Sequence, residues 1–229
     1  MPSQEFQFHI IPTRNPRPHY QEIYHAAYAC WMGVWMETYR ELLQKNVIMS
    51  DDFSRQDEVL ALFKESKCLG MVFMRSDSFT DPAVWHDSYF SAWPAFAINR
   101  LMRNGSSFTI CSYMTGAQDE RGKPIEGQMK MQELLMALAS RRFLELGTDV
   151  MVGTPRLAVG MGNSCALSGG TRIFMGQKMH GVDVECVEFT RPNVEALKLP
   201  DLVYRTWENR IQHSKTEFRK TDLRVINGG

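Results

Sequence analysis

The sequence predicts an α/β fold of the α+β kind, with a mixed, mostly antiparallel central sheet flanked by helices. Three observations predict it. Strand-like and helix-like stretches follow the order strand, helix, strand, strand, helical insert, strand, helix, strand, helix, strand, strand. A long aromatic stretch of helical period near the start supplies a face able to cover a sheet. No linker or shift in composition divides the chain, so residues 1–229 are expected to form one domain, with 191–229 as a C-terminal helical tail.

The first element is a short strand from Glu5 to Ile11, stopped by Pro12, Pro16 and Pro18. From His19 to Lys45 the period becomes helical: Tyr20, Ile23, Tyr24, Ala27, Trp31, Val34, Trp35, Thr38 and Leu42 share one face. That face packs on the sheet, and part of it, with Trp31 and Trp35, is a candidate lining for a ligand pocket. After the acidic turn Asp51–Asp52, Val59 to Phe63 and Leu69 to Met74 form a hairpin across Lys64–Lys67. Asp81-Pro82 caps a helical stretch to about Tyr89, and Pro94 starts another to Arg103, closed by Asn104-Gly105. Ser107 to Met114 is a strand, Thr115 to Gln128 a polar loop, and Met129 to Leu146 a helix stopped by Gly147. Asp149 to Val152 is a short strand. Gly160–Asn163 introduces a brief helix ended by Gly169-Gly170. Thr171 to Gly176 and Val182 to Thr190 pair as a hairpin turning at Gly176–Gly181, and a last helix spans about Pro200 to Lys215.

Composition removes several function classes. With 44% hydrophobic and 23% charged residues, the chain is an ordinary globular one and not a disordered one. The 26 basic residues balance 26 acidic ones, and no Lys/Arg run occurs, so no nucleic-acid partner is expected. The most apolar early stretch, Ala26 to Met36, is too short to span a bilayer. The cysteines, Cys30, Cys68, Cys111, Cys165 and Cys186, are odd in number and widely spaced, which predicts a reducing, cytoplasmic setting. Six scattered histidines pair with nothing at ligand spacing, so no metal is expected. The nucleophile-elbow, phosphate-loop, zinc-protease and dinucleotide signatures are missing; Gly160-Met161-Gly162 lacks the third glycine. Fifteen methionines suit either core filling or the wall of an adaptable pocket.

From Ser107 to Phe189 the order strand, loop, helix, strand, glycine-led short helix and hairpin resembles the GNAT superfamily of acyltransferases. Asn163 followed by Ala166 is similar to the Asn-x-x-Ala that opens that family's next helix. The resemblance implies that the fourth strand and the following helix start hold the phosphopantetheine arm of an acyl thioester. Met114, Thr115, Lys130, Met131, Gln132 and Asn163 would then be the donor contacts. A helix start offers unpaired backbone N–H groups to a phosphate. The aromatic first helix, the run Leu69–Arg75 and the helical insert Trp85–Arg103 resemble one branch more closely, the acyl-homoserine-lactone and N-acyl amino acid synthases. That branch implies an acyl chain from acyl carrier protein or coenzyme A, and a small amine such as an amino acid as acceptor. The family's pyrophosphate loop is glycine-rich, whereas Gln128–Leu135 is not, which points toward carrier-protein donors. No acidic residue stands on Phe108–Met114, which points away from lactone synthesis. His86 is the candidate base, Tyr113 an acid or hydrogen-bond donor, and Ser164, Cys165 or Ser168 the donor to the departing thiolate. The alternative is a non-catalytic module binding an apolar ligand or a partner protein.

Overall fold

The computed structural model describes residues 6–120, 122–127, 129–179 and 181–213. The chain opens with β1 (Gln7–Pro12) and a 3-10 turn at Pro18–Tyr20 that feeds α1 (Gln21–Leu43). A single turn, α2 (Asp51–Ser54), precedes the hairpin β2 (Glu58–Lys64) and β3 (Lys67–Ser78). The expected helix after Asp81 is instead two 3-10 turns, Pro82–His86 and Ser88–Ala92. Asp81 accepts from the Ala83 N–H and Asp87 from the Tyr89 N–H, each at 2.8 Å, so a second cap restarts the chain before a helix can propagate. Next come α3 (Ala95–Asn104) and β4 (Ser107–Gly116).

The expected loop after β4 holds a small hairpin, β5 (Pro124–Glu126) and β6 (Met129–Lys130), before α4 (Met131–Leu146). The helix thus starts two residues later than the sequence suggests, because Met129 and Lys130 pair with Glu126 and Pro124. β7 (Val150–Gly153), α5 (Met161–Leu167), β8 (Gly170–Met179) and β9 (Val182–Thr190) follow. Gly176, at φ 94°, is a bulge inside β8 and not the start of the turn. The tail carries α6 (Arg191–Glu195), α7 (Asp201–Glu208) and β10 (Ile211–Gln212). The last helix is therefore shorter than expected; its projected end at Lys215, like Glu5 and Gln128, lies outside the described residues.

Eight strands form one sheet in the order β10-β1-β2-β3-β4-β7-β9-β8. The pairs are antiparallel except β1 with β10 and β4 with β7. The β4–α4–β7 crossover makes the internal parallel pair, as the sequence predicts. Alternation sorts the side chains: Val72 and Met74 meet α4, whereas Met71 and Phe73 meet the aromatic face of α1. α4, α6 and α7 cover one face of the sheet. α1 and, farther along, α3 with the 3-10 turns cover the other.

The β4–β7 pair is tight at one end and open at the other. Phe108, Thr109 and Ile110 pair with Val150, Met151 and Val152, and there the pairing stops. At the closed end Asp149 accepts from the N–H and hydroxyl of Ser107 at 2.9 and 2.7 Å, bonds that hold its carboxyl below the usual range. Beyond Ile110 the strands diverge. β4 also bulges: Met71 faces Thr115 but Phe73 faces Ser112, and Tyr113 takes the left-handed φ of 53°.

Candidate active site

A cavity of about 580 Å³ fills the gap between β4 and β7. Because the strands are parted, it is lined from both sides of the sheet. Leu135 and Met136 of α4, with Met161 and Cys165 of α5, line one side. Trp35 and Tyr39 of α1, Arg75 of β3, and Asp87 and Tyr89 of the 3-10 turns line the other. Ile110 through Gly116 contribute continuously, and from Cys111 onward β4 has no partner on its β7 side. Its free N–H and C=O groups suit an amide-bearing ligand laid along the strand.

Aromatic packing holds the bulge in place. The Tyr113 ring meets Trp35 edge-on at 4.8 Å and Phe73 at 5.7 Å between centroids. Trp35 Nε1 donates to Thr115 Oγ1 at 2.9 Å, and Thr115 Oγ1 donates to the Tyr113 carbonyl at 2.6 Å. Tyr113 Oη lies 3.3 Å from Tyr39 Oη. Burial pushes the Tyr113 phenol up, then the Tyr39 contact pushes it further, so it stays a neutral hydrogen-bond donor. Left-handed geometry costs a bulky residue about 1–2 kcal/mol, which this packing outweighs.

Charge in the cavity is largely paired. Arg75 binds Asp87 at 2.6 Å with both side chains mostly buried, and Arg55 binds Asp52 at 2.6 Å. At the α4 mouth, Glu133 Oε2 accepts the Lys130 N–H at 2.9 Å, which sets a carboxylate beside the first turn. Sequence reading left that turn unoccupied. A carboxylate there competes with a phosphate for the same end of the helix. No group of three or more His, Cys, Asp or Glu side chains among the described residues is placed to hold a metal.

Of the residues singled out in the sequence, Trp35, Tyr113, Met114, Thr115, Lys130, Met131, Gln132 and Cys165 line the cavity. Cys165 is buried beside Met136 Sδ at 3.8 Å, and burial pushes its thiol up to about 12, so it is a protonated thiol at neutral pH. His86, Ser164, Asn163 and Trp31 are not in the lining. His86 ends the first 3-10 turn with its ring exposed, because the two Asx caps turn it outward while Asp87 points inward. Ser164 and Asn163 both lie on α5, the first buried and the second exposed. Trp31 is fully buried under Phe53 and Phe73, a core residue one turn below Trp35. Gly162, in the Gly160-Met161-Gly162 run that falls short of a dinucleotide signature, makes room for buried Glu185, into which a Cβ would collide.

Sequence reading missed Tyr39, Arg75, Asp87, Tyr89, Thr154 and Arg156 as site residues. Two signals were available: the charge of Arg75 ending an apolar strand, and the second Asx cap at Asp87. Tyr89, Thr154 and Arg156 carry no local signature, because only the crossover brings them together.

The fold, with its splayed parallel pair inside a mixed sheet, is shared with solved structures of acyltransferases. A CoA-dependent acyl-homoserine lactone synthase, BjaI, solved with SAM and isopentyl-CoA, is 14% identical over 91% of this chain and 94% of its own, with a TM-score of 0.59. FeeM, an N-acyl amino acid synthase from uncultured soil microbes, is 12% identical over 85% and 95%, with a TM-score of 0.59. A mosquito arylalkylamine N-acetyltransferase-like protein is 10% identical over 80% and 99%, with a TM-score of 0.55. At these identities the likeness is one of fold. No family model matches the chain, and no curated protein matches it either.

Proposed function

We propose that the protein is an N-acyltransferase that moves an acyl group from a phosphopantetheine thioester to the amine of a small acceptor. The observation that carries this reading is the cavity through the β4–β7 splay, open to both faces of the sheet. Two reactants can then meet head-on, one from the α4 side and one from the α1 side. The donor's pantetheine arm lies along the unpaired edge of β4 at Cys111–Thr115, with Lys130 and the first turn of α4 toward its phosphate. The acyl chain occupies the Met- and Leu-lined interior, among Leu135, Met136 and Met161.

The amine nitrogen attacks the thioester carbonyl and a C–N bond forms. Backbone N–H groups of the bulge meet the oxyanion. Collapse breaks the C–S bond, and the proton lost by the amine ends on the sulfur of the leaving thiol. Tyr113 and Cys165, both neutral, serve as hydrogen-bond donors near that sulfur and not as bases. Water carries the amine proton to that sulfur, since His86 does not reach the cavity. Acyl carrier protein is the favoured donor carrier over coenzyme A, because Gln132 and Glu133 stand where small residues would admit a pyrophosphate. Among the described residues no helix is long and apolar enough to cross a membrane. We place the reaction in the cytoplasm, as the free cysteines suggest.

Purified protein supplied with decanoyl and palmitoyl thioesters and a mixture of amines should yield an N-acyl amide by mass spectrometry. Tight binding of the acyl compounds with no amide from any pairing would favour a ligand-binding module instead.

A further inference from the structure

We propose that Arg156, with Tyr89, anchors a carboxylate of the acceptor, so that the acceptor is an anionic amine. This rests on the acyl-transfer reading of the cavity. Among the described residues, a few buried side-chain polar atoms have no hydrogen-bond partner, and two of them line the cavity: Arg156 Nε and Tyr89 Oη. Two other arginines share the orphaned Nε but have company. Arg141 lies over Tyr204 and Trp207, and Arg210 stacks on Trp207 and binds Glu145. Arg156 has no such contact. Its guanidinium makes no ion pair or hydrogen bond among the described residues, although Arg75 and Arg55 in the same wall are both neutralised by aspartates.

The backbone places the two donors near each other. Arg156 is extended, at φ −72° and ψ 130°, and bridges to Val184 of β9, which fixes it beside the open end of the splay. Residues two apart in an extended run share a side, so Arg156 stands next to Thr154. The Tyr89 hydroxyl sits beside that same Thr154 without a bond of ordinary geometry. A guanidinium N–H and a phenol O–H left unpaired in a buried wall are costly unless a ligand supplies acceptors. A carboxylate supplies two oxygens and the missing negative charge. A donor phosphate would satisfy the same chemistry. Lys130 and the α4 start already serve that end of the cavity, whereas Arg156 is pinned to β9, across the splay.

The test uses product mimics that need no turnover. Calorimetric titration compares N-dodecanoylglycine with N-dodecanoylglycinamide, which differ only in the carboxylate. Wild type should bind the acid at least tenfold more tightly, Arg156→Gln should bind the two alike, and Arg156→Lys should keep part of the preference. Equal binding of acid and amide by wild type, binding of neither, or an acid preference that survives Arg156→Gln overturns the proposal. Arg156 has no bond to lose, so the variants should melt as wild type does. In turnover with α-amino acids and a dodecanoyl thioester, Arg156→Gln should raise the acceptor KM at least tenfold and leave the donor KM unmoved. A raised donor KM alone assigns the anion to the donor phosphate and overturns the carboxylate. Acid-selective binding without amide formation keeps the anion site and removes the acyltransferase reading.

Discussion

Alanine at two glycines tests how closely the α4 start is seated on the sheet. Gly70 lies in β3 beneath the first turn of α4. A Cβ there would come within 2.5 Å of Met131 Sδ, 2.9 Å of the Thr115 carbonyl oxygen and 3.1 Å of Leu135 Cδ1. The Met sulfur can swing away, but the Thr115 oxygen belongs to the paired β4 backbone and cannot. Overpacking of this kind costs about 1–3 kcal/mol, partly offset by about 0.4–1 kcal/mol from a less disordered unfolded chain. Gly70→Ala should therefore destabilise by about 1–2 kcal/mol, which for a chain of this length lowers Tm by roughly 3–6 °C. Gly33 is the control. It lies in α1, exposed, with nothing within 4 Å of an added Cβ. Gly33→Ala should raise stability by about 0.5–1 kcal/mol. Calorimetric melts of the three proteins decide it. Gly70→Ala melting at or above wild type would show that α4 does not seat on Gly70 as described, and the cavity mouth would need redrawing.

Other perturbations address the site and its surroundings. Lys130→Glu should raise the donor KM about two- to fivefold and leave the acceptor KM alone, a modest effect because Lys130 is exposed. Carrier-protein thioesters should turn over faster than matched coenzyme A thioesters, and Glu133→Gln should narrow the gap by removing the carboxylate at the helix start. Away from the site, His9 is buried against Phe63 and lies 3.0 Å from His213 Nε2. Burial first, and His213 second, lowers its pKa to about 4. The unfolded chain takes up that proton near its ordinary 6.5, so below this value the unfolded state binds more protons than the folded one. Stability should fall as pH drops from about 6.5 toward about 4, and His9→Gln should flatten that slope in urea titrations. A slope unchanged by the substitution would place the titrating group elsewhere.

The fold was legible where local chemistry and tertiary packing agree. The aromatic stripe of α1, the β2–β3 hairpin and the β4–α4–β7 crossover each follow from periodicity and turn residues. Periodicity failed where backbone competition is decided locally by a side chain or at a distance by a partner. Asp87 split one expected helix into two turns, Glu126 drew Met129 into a strand, and β10 exists because β1 has a free edge. The site was half legible. Residues flanking the bulge and the α4 start could be placed by resemblance, but Trp31 and Trp35, one turn apart, could not be told apart from sequence. Only the register of α1 on β3 and β4 sends Trp35 to the cavity and Trp31 to the core. Arg156 and Tyr89 reach the same cavity wall from distant parts of the chain, so nothing in their neighbourhoods announces them.

The central claim is that one cavity brings a thioester and an amine together. The most direct measurement is free thiol and N-acyl amide quantified in the same reaction, with and without amine, across carrier-protein and coenzyme A donors. The account predicts that thiol appears only when amine is present, and in equal amount with amide. Thiol released without amide, at a rate indifferent to amine, would contradict it and make the protein a thioesterase.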